Sequence, residues 1–352
     1  MSPAVSVLID TYNQAHFLEQ AITSVLEQGL PPAELEIVVV DDGSTDDAAS
    51  IVAKFAPHVR YLRKQNGGQV SAYNFALPEL HAPIVAFLDA DDWWTNGKLK
   101  AILDVFHNQT GTTTVAHGFI GFYEDTQKSF TCLPGQDYRL DLSDENAGRL
   151  AHSGRRFLST SKLAIRRAIL EKIGPLPDDL LYFDSPLALS AMAFGPAFII
   201  NEPLAVYRVH ARNFSEIERP IPDILRRKCR IIDAELRFLP QQLARSGVPQ
   251  PAISALMQPR QLERERIRIE LQGGWPWETF RLEFRRFRAS YERYSLSYAI
   301  FKFLALLPAL VMPRKRFYQL RGWYSGSKLR KARSLLGEPT PVATIDVQKF
   351  TR

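Results

Sequence analysis

Cysteine is scarce in this chain of 352 residues: only Cys132 and Cys229 are present, and they lie far apart. Neither an even set of closely spaced cysteines nor a metal-ligand spacing occurs, which excludes a disulfide-stapled secreted domain and a zinc-binding module. A reducing compartment is therefore expected. The apolar run Val5–Ile9 is also too short for the hydrophobic part of a secretory signal, so we expect none at the N-terminus.

The sequence lacks the two common glycine-rich phosphate motifs. No G-x-G-x-x-G follows the first apolar run and no G-x-x-x-x-G-K-[ST] occurs, which argues against a dinucleotide-binding or P-loop protein. Uninterrupted apolar runs are lacking too. The most apolar stretch, residues 296–312, is broken by Lys302 and Pro308, so it predicts a segment lying in a membrane surface rather than a membrane-crossing helix.

Acidic residues are sparse in the last third of the chain. Residues 226–352 carry 26 Lys and Arg against 10 Asp and Glu, whereas residues 1–225 carry 18 against 28. This asymmetry predicts an α/β domain over residues 1–218, a basic and mainly helical region over residues 219–336, and a loose tail over residues 337–352. The basic region is expected to face an anionic surface such as lipid head groups, and we expect no nucleic-acid partner.

In residues 1–225, apolar runs alternate with segments whose apolar residues recur at helical spacing. The runs Val5–Ile9, Ile37–Val40, Val59–Leu62 and Ile84–Asp89 are nearly all apolar, which is typical of strands buried on both faces. The pattern predicts an α/β fold with a mostly parallel sheet and helices on both faces. Further on, we predict strands at Thr113–Phe122, Leu163–Ile165, Phe198–Ile200 and Leu204–Tyr207, and a helix at Leu187–Phe194 with Ser185 as its N-cap.

Three predicted strands end in polar residues: Asp10–Asn13, Asp41–Ser44 and Asp89–Asp92. Parallel strands bring such ends to one edge of a sheet, where open α/β sheets bind ligands. The carboxylates of Asp89, Asp91 and Asp92 would suit a hard divalent cation. Turn and cap roles remain an alternative: Asp92 or Asn96 could cap a helix at Lys98–Phe106.

The basic part contains an amphipathic pattern over residues 280–294. Phe280, Phe284, Phe287, Tyr291 and Tyr294 recur at helical spacing, with arginines between them. The aromatic stripe could pack against the α/β domain or lie in a membrane surface, and the sequence leaves both open. Prolines at positions 220, 222, 240, 249 and 251 are expected to divide this region.

Five short motifs, in this order along the chain, resemble those of one family. They are Val5–Asn13 (VSVLIDTYN), Val39–Asp46 (VVDDGSTD), Asn66–Gln69 (NGGQ), Phe87–Asp92 (FLDADD) and Tyr207–His210 (YRVH). Together they resemble the inverting, nucleotide-sugar-dependent glycosyltransferases of family two, which have the GT-A fold. The resemblance covers roughly residues 4–215.

The resemblance implies roles for the polar strand ends. Residues that would contact the nucleotide sugar are Thr11, Tyr12, Asn13, Asp41, Asp42, Asn66, Gly67, Gly68, Gln69, Asp89 and Ala90. Tyr12 offers a ring for stacking on a base, and Asp41 offers an acceptor for a ring N–H. Asp91 would bind the metal, Mn²⁺ or Mg²⁺, and His210 would assist at the metal or diphosphate.

An inverting transferase needs a general base for the acceptor hydroxyl. In the family this base lies in an acidic E-D-x-D motif at the start of a late helix, and this sequence retains only Asp184 there. Asp184 is therefore the expected base, with Asp178 and Asp179 as alternatives. Tyr73 also stands where many relatives have Arg, which puts in doubt a donor-phosphate contact at that position.

The sequence therefore predicts an inverting glycosyltransferase that uses a nucleotide-diphosphate sugar and a carbohydrate or lipid-linked acceptor. We expect it to be cytoplasmic and peripheral on the inner face of a membrane, in cell-surface polysaccharide or glycolipid synthesis. A sugar nucleotidyltransferase is one alternative, although Asp10–Asn13 is not the glycine-rich basic loop that such an enzyme needs. A catalytically degenerate nucleotide-sugar-binding protein is the other.

Overall fold

A computed structural model describes residues 3–143, 148, 154–210, 221–272, 275–288, 296–313, 316, 317 and 320. Backbone contacts divide the chain into two compact units. The first contains the described residues up to 210 together with Arg237–Leu256, and the second contains the described residues 221–236 and those from Met257 onward. The domain boundary predicted at residue 218 falls outside the described residues and stays a prediction.

The first unit begins with alternating strands and helices, as the sequence predicts. The elements are β1 (Val5–Thr11), α1 (Ala15–Leu26), β2 (Leu35–Asp41), α2 (Ala48–Ala53), β3 (Val59–Arg63), α3 (Gln69–Ala76), β4 (Ile84–Asp89) and the short β5 (Trp93–Trp94). The strands β3, β2, β1 and β4 lie side by side in this order, and all are parallel.

The unit continues with elements that change the strand direction. They are α4 (Lys98–Asn108), β6 (Thr114–Tyr123), β7 (Lys128–Cys132), β8 (Tyr138–Leu140), β9 (Leu163–Arg166), α5 (Arg167–Ile173), α6 (Asp184–Met192) and β10 (Ala197–Val209). The sheet order is β3-β2-β1-β4-β9-β6-β10-β5, with β7 beside β6 and β8 beside β10. Because β9 runs antiparallel to both β4 and β6, the sheet is parallel at one end and mixed at the other.

The core of this unit lies between the sheet and helices α1, α2 and α4. Leu18, Ile22 and Val25 form the buried stripe of α1, and Leu99 and Ile102 form that of α4. The strands need no polar face because they are covered on both sides, which explains their continuous apolar runs. The α/β fold is confirmed. Burial of the apolar runs determines where β1, β2 and β4 end.

Local predictions failed at two helix starts. Helix α6 begins at Asp184 and not after Ser185, because Phe183 before it is buried against the rings of Tyr73 and Phe87. Helix α4 follows Gly97, which has a left-handed φ of 83°, and no side chain caps it. Asp92 and Asn96 are therefore not its cap.

One strand prediction was also wrong. The two short strands predicted at Phe198–Ile200 and Leu204–Tyr207 are a single strand, β10. Its pairing with β6 shifts register around Pro203, and this irregularity is what interrupts the apolar pattern.

The described C-terminal part is helical: α7 (Ile221–Arg245), α8 (Gln250–Gln272), α9 (Pro276–Arg288) and α10 (Leu296–Leu304), followed by a 3-10 turn at Leu307–Leu310. Pro240 lies inside α7 and does not divide it, contrary to the prediction. Tyr291 and Tyr294 of the predicted aromatic stripe lie outside the described residues. Among the described helices, none combines the length and apolar character needed to cross a membrane.

Candidate active site

The three polar strand ends meet at one edge of the sheet. In the register of β1, Thr11 lies opposite Asp41 of β2, and Asp10 lies opposite Asp89 of β4. The backbone continues this alignment, since the amide of Asp42 donates to the carbonyl of Thr11 and the amide of Ala90 donates to that of Asp10. The parallel strands therefore bring together the segments that the sequence predicts as a crevice.

At the β1–β2 side, Asp41 is buried and organises the turn that follows it. Its Oδ1 accepts the amide of Ser44 at 2.7 Å, and its Oδ2 accepts the hydroxyl of Tyr61. The Ser44 hydroxyl in turn accepts the amide of Asn13 at 2.9 Å. Next to this network the ring of Tyr12 is half exposed, so a flat face is available at the crevice.

Asp42 anchors the loop that precedes α3. Its carboxylate accepts the amide of Gly67 at 3.0 Å, the amide of Gly68 at 2.7 Å and the ammonium of Lys64 at 2.8 Å. A Cβ at Gly67 would lie 2.6 Å from the hydroxyl oxygen of Ser71, so only glycine fits there without a shift. The Asn66–Gln69 segment is held against the end of β2.

The acidic cluster follows β4. Carboxylate oxygens of Asp89, Asp91 and Asp92 lie within 4.8 Å of one another, with Asp91 and Asp92 buried. Oδ2 of Asp91 lies 3.2 Å from Nε2 of His210 and accepts the side-chain amide of Gln14 at 3.1 Å. The structure thus brings together Asp91 and His210, the two predicted metal ligands.

Gln69 joins the cluster to a carboxylate that the sequence analysis did not include among the site residues. Its side-chain amide donates to Asp10 at 3.1 Å and to Asp89 at 3.0 Å. Oδ1 of Asp10, Oε1 of Gln69 and the hydroxyl of Thr11 are buried and have no hydrogen-bond partner among the described residues. Unpaired buried polar atoms are rare and need an explanation, and a ligand or ion at this edge would supply one.

The carboxyl groups titrate abnormally because they are buried together. Burial, with the charge of Asp91 adding to it, raises the pKa of Asp10 to about 7. Burial and the same neighbour raise the pKa of Asp92 to about 8, and burial with the charges of Asp10 and Asp92 also raises the pKa of Asp89. Like charges so close cost free energy unless a cation offsets them, and oxygen ligands of this kind fit Mg²⁺ or Mn²⁺.

Buried cations behind the cluster escaped the sequence analysis. The ammonium of Lys98 donates to the Ser161 carbonyl at 2.6 Å and lies 3.8 Å from the ring centroid of Trp94. The Ser161 hydroxyl accepts the amide of Asp89 at 3.1 Å. In sequence, Lys98 resembles an ordinary exposed lysine in the first turn of a helix, so no local pattern marks its burial.

Lys162 is the second such cation. Its ammonium donates to the carbonyl of Arg156 at 2.9 Å and lies 3.9 Å from the ring centroid of Phe119. Burial lowers its pKa to about 8, although the charges of Asp92 and Asp184 oppose the shift. A positive charge of the protein itself therefore acts on the acidic cluster.

Arg208 of the YRVH motif has a structural role. Its backbone amide donates to Asp92 at 2.9 Å and its Nε donates to the Asp91 carbonyl at 2.9 Å. The guanidinium lies 4.4 Å from the ring centroid of Phe17 and 4.5 Å from that of Trp93. Arg208 thereby fixes the acidic segment to β10 and positions the neighbouring His210.

The proposed base and its alternatives lie in different surroundings. Asp184, the first residue of α6, is half-buried, and its charge raises the pKa of Asp89 while opposing the lowering of that of Lys162. Asp178 and Asp179 are exposed, and Asp179 pairs with Arg237 at 2.6 Å. The charge of Asp184 therefore acts on the acidic cluster, whereas Asp179 pairs with an arginine at the surface.

Tyr73 explains one departure from the family pattern. The residue is fully buried, and its ring stacks on that of Phe183 at 5.0 Å between centroids. The next residue, Asn74, bonds through its side-chain amide to both backbone groups of Leu176. Tyr73 therefore packs in the core beneath α6.

Comparisons with known proteins agree with this geometry. The family model described as glycosyl transferase family 2 matches residues 6–174. An uncharacterized glycosyltransferase of Nostoc sp. is 33% identical over 217 residues, which are 59% of this chain and 66% of that protein. The putative teichuronic acid biosynthesis glycosyltransferase TuaG of Bacillus subtilis is 38% identical over 107 residues, which are 29% of this chain and 41% of that protein.

A solved structure supports the fold. The mannosyltransferase of Pyrobaculum calidifontis, solved with GDP-Man and Mn²⁺, has a TM-score of 0.53 at 20% identity and covers 96% of this chain and 84% of its own. This chain spans slightly less than two thirds of the length of the Nostoc relative. The first unit has the GT-A fold, and its residues 6–174 match the model of glycosyl transferase family 2.

Proposed function

We propose that the chain transfers a sugar from a nucleotide-diphosphate donor to an acceptor hydroxyl, by a single displacement with inversion. The observation that carries this proposal is the convergence of three strand ends on one acidic crevice with unpaired polar atoms. The match of residues 6–174 to the glycosyl transferase family 2 model supports the reaction class, and we propose the donor, acceptor and stereochemistry with it.

The β1–β2 side of the crevice would bind the nucleotide. Tyr12 offers its half-exposed ring for stacking on the base, and Thr11 and Asp41 offer oxygens for its ring N–H groups. Asn13, Asp42 and the Asn66–Gln69 loop would hold these groups in position, as their mutual hydrogen bonds indicate. Asp89 and Ala90 would contact the ribose, with the Gln69 amide holding the carboxylate of Asp89.

Asp91 and His210 would hold a divalent cation, Mn²⁺ or Mg²⁺. The fit rests on the clustered carboxylates, whose pKa values are raised by burial and by one another's charge, and a cation would offset that charge. When bound, the cation would supply positive charge that stabilises the diphosphate leaving group. Arg208 and Gln14 would keep the Asp91 segment in place through the hydrogen bonds described above.

Asp184 would act as the general base. It would accept the proton of the acceptor hydroxyl while that oxygen attacks the anomeric carbon and the bond to the diphosphate oxygen breaks. The nearby ammonium of Lys162 would favour the ionised form of Asp184 that a base requires.

The acceptor that we propose is a carbohydrate or lipid-linked sugar, used in cell-surface polysaccharide or glycolipid synthesis at the cytoplasmic face of a membrane. The name of the teichuronic acid relative supports a role in cell-surface polysaccharide synthesis. The basic C-terminal residues support a place at the membrane.

Hydrolysis of a panel of UDP- and GDP-sugars by the full chain, with and without MnCl₂, tests the donor proposal. One donor should be turned over only with the divalent ion, and Asp91→Asn should lower that rate at least about 100-fold. Asp125→Asn, in an exposed turn, is the control and should match the wild type. Donor binding without hydrolysis or transfer to any acceptor would favour the degenerate binding protein instead.

A further inference from the structure

The apolar side of α10 and of the turn after it points to solvent. Its exposed large residues are Leu296, Ile300, Phe303, Leu304, Leu307, Leu310 and Val311, which we call the apolar face. From Leu296 to Leu307 they recur at intervals of one, three and four, as on one side of a helix. Leu296, Leu304 and Val311 are 79%, 54% and 82% exposed. A folded chain rarely leaves so many neighbouring apolar side chains in water, so the apolar face indicates an interaction surface.

The rest of this segment is packed, which shows why the apolar face remains outside. Tyr298, Leu306 and Ala309 are buried. The ring of Phe303 lies 6.2 Å from that of Phe284 and 6.1 Å from that of Phe287, both on α9, measured between centroids. Phe284 and Phe287 of the aromatic stripe therefore contact α10 through Phe303, which is the least exposed residue of the apolar face.

Charge identifies the kind of partner. Residues 280–333, which flank and include the apolar face, contain fourteen Lys and Arg but only two Asp and Glu. The described part of this set includes Arg281, Arg285, Arg286 and Arg288 of α9. An apolar surface within a stretch of sequence so rich in cations is complementary to anionic lipid, which offers acyl chains beside negative head groups.

Length determines the orientation. Helix α10 has nine residues, which at about 1.5 Å per residue is roughly half of the ~30 Å hydrocarbon core of a bilayer. The described helix is too short to cross a membrane, which fits an orientation along the membrane surface. Trp275 and Trp277, also exposed, are of the residue type enriched at membrane interfaces.

We infer that the apolar face is a docking surface for an anionic lipid bilayer, inserted between the head groups with α10 parallel to the membrane plane. This inference names the surface responsible for the membrane setting proposed above. It involves no residue of the acidic crevice, so the two proposals fail separately.

Co-sedimentation of the full chain with vesicles tests the inference. Vesicles of phosphatidylcholine with about a third phosphatidylglycerol should retain the wild type, and phosphatidylcholine alone should retain at least tenfold less. The double variant Ile300→Ser/Leu304→Ser should lose at least tenfold in partitioning, because two inserted apolar side chains are removed. Ile224→Ser is the matched control: Ile224 is also exposed in the second unit, on α7, outside the apolar face, and should bind like the wild type.

Further measurements keep the test decisive. Donor hydrolysis without vesicles should be equal in wild type and double variant, and equal circular dichroism should show that both are folded. Should the double variant not fold, Val311→Ser, at an 82% exposed position beyond the helix, replaces it. Equal retention of all variants, or equal binding to neutral vesicles, would overturn the inference. Absence of vesicle binding together with a wild-type dimer that the double variant dissociates would instead assign the apolar face to a second copy of the chain.

Discussion

Charged side chains are arranged in opposite ways in the two units of the chain. In the first, carboxylates are collected in a buried crevice, where Asp89, Asp91 and Asp92 lie within 4.8 Å of one another. In the second, cations lie near the surface and pair with acids on neighbouring helices, as Arg264 does with Asp233 and Arg285 with Glu265. Buried like charges raise the free energy of the folded state, whereas exposed pairs change it little. A bound cation would therefore offset a cost in the first arrangement and would have little to offset in the second.

The largest effect is expected for Asp184, the carboxylate that we propose as the general base. Asp184→Asn keeps the shape of the side chain but removes its ability to accept a proton, so sugar transfer should slow by about 10²–10⁴-fold. Donor affinity, measured by calorimetry with UDP or GDP and MnCl₂, should change little. Asp179→Asn is the comparison, because Asp179 is exposed and pairs with Arg237. A larger loss in the Asp179 variant than in the Asp184 variant would transfer the role of base to Asp179.

A second prediction concerns a buried carboxylate whose task is structural. Asp42→Ala should lower the free energy of unfolding by on the order of 3 kcal/mol, because it leaves the Lys64 ammonium and the amides of Gly67 and Gly68 without their acceptor. Urea unfolding measures the change. Asp47→Ala is the control, since Asp47 is exposed and makes no side-chain cap bond in α2. Equal stability of the two variants would show that Asp42 does not hold the loop.

Prediction from sequence succeeded where burial and strand order decide the outcome. Continuous apolar runs placed β1, β2 and β4, and parallel order then placed Thr11 beside Asp41 at one sheet edge. Contacts made by segments outside the motifs and the predicted strand order were not predictable. Ser161 lies 72 positions from Asp89, and only folding of the 160–162 segment onto β4 brings its hydroxyl to the amide of Asp89.

Other predictions failed because tertiary packing outweighed the local sequence preference for a helix start or for exposure. A serine followed by proline normally indicates a helix start, yet α6 begins at Asp184, two residues before that proline, since the buried Phe183 ring fixes where the chain enters the helix. Lys98 was assigned no function because its position in a first helical turn suggests exposure. Its burial beside Trp94 depends on the neighbouring β5 and Ser161.

The third prediction uses the raised pKa values of the crevice. Burial raises the pKa of Asp10 to about 7 and that of Asp92 to about 8, so between about pH 4 and pH 8 the folded state binds more protons than the unfolded state. Their contribution to stability is therefore fully present below about pH 4 and is lost as the pH rises through 7 and 8. Divalent cations bind the deprotonated carboxylates, so their stabilising effect should grow over the same range.

Thermal unfolding with and without MnCl₂, from pH 6 to pH 8.5, measures this dependence. The stabilisation should increase with pH and reach about 2.7 kcal/mol when the ion is present at 100 times its dissociation constant. Asp91→Asn should weaken it at every pH. A shift that is independent of pH in both proteins would mean that Mn²⁺ binds elsewhere than at the acidic cluster.

The smallest effect is expected in the second unit. Arg285 and Glu265 approach to 2.6 Å, closer than the 2.8 Å between Lys64 and Asp42, but their side chains are 48% and 34% exposed against 14% and 5%. Water already solvates the exposed pair, so Arg285→Ala should change the free energy of unfolding by less than about 1 kcal/mol. Urea unfolding in 0.05 and 0.5 M NaCl checks this, and added salt should reduce even that difference. If Arg285→Ala lowered the free energy of unfolding as much as Asp42→Ala does, burial would be the wrong criterion for ranking the ion pairs of the two units. Distance would then be the better one.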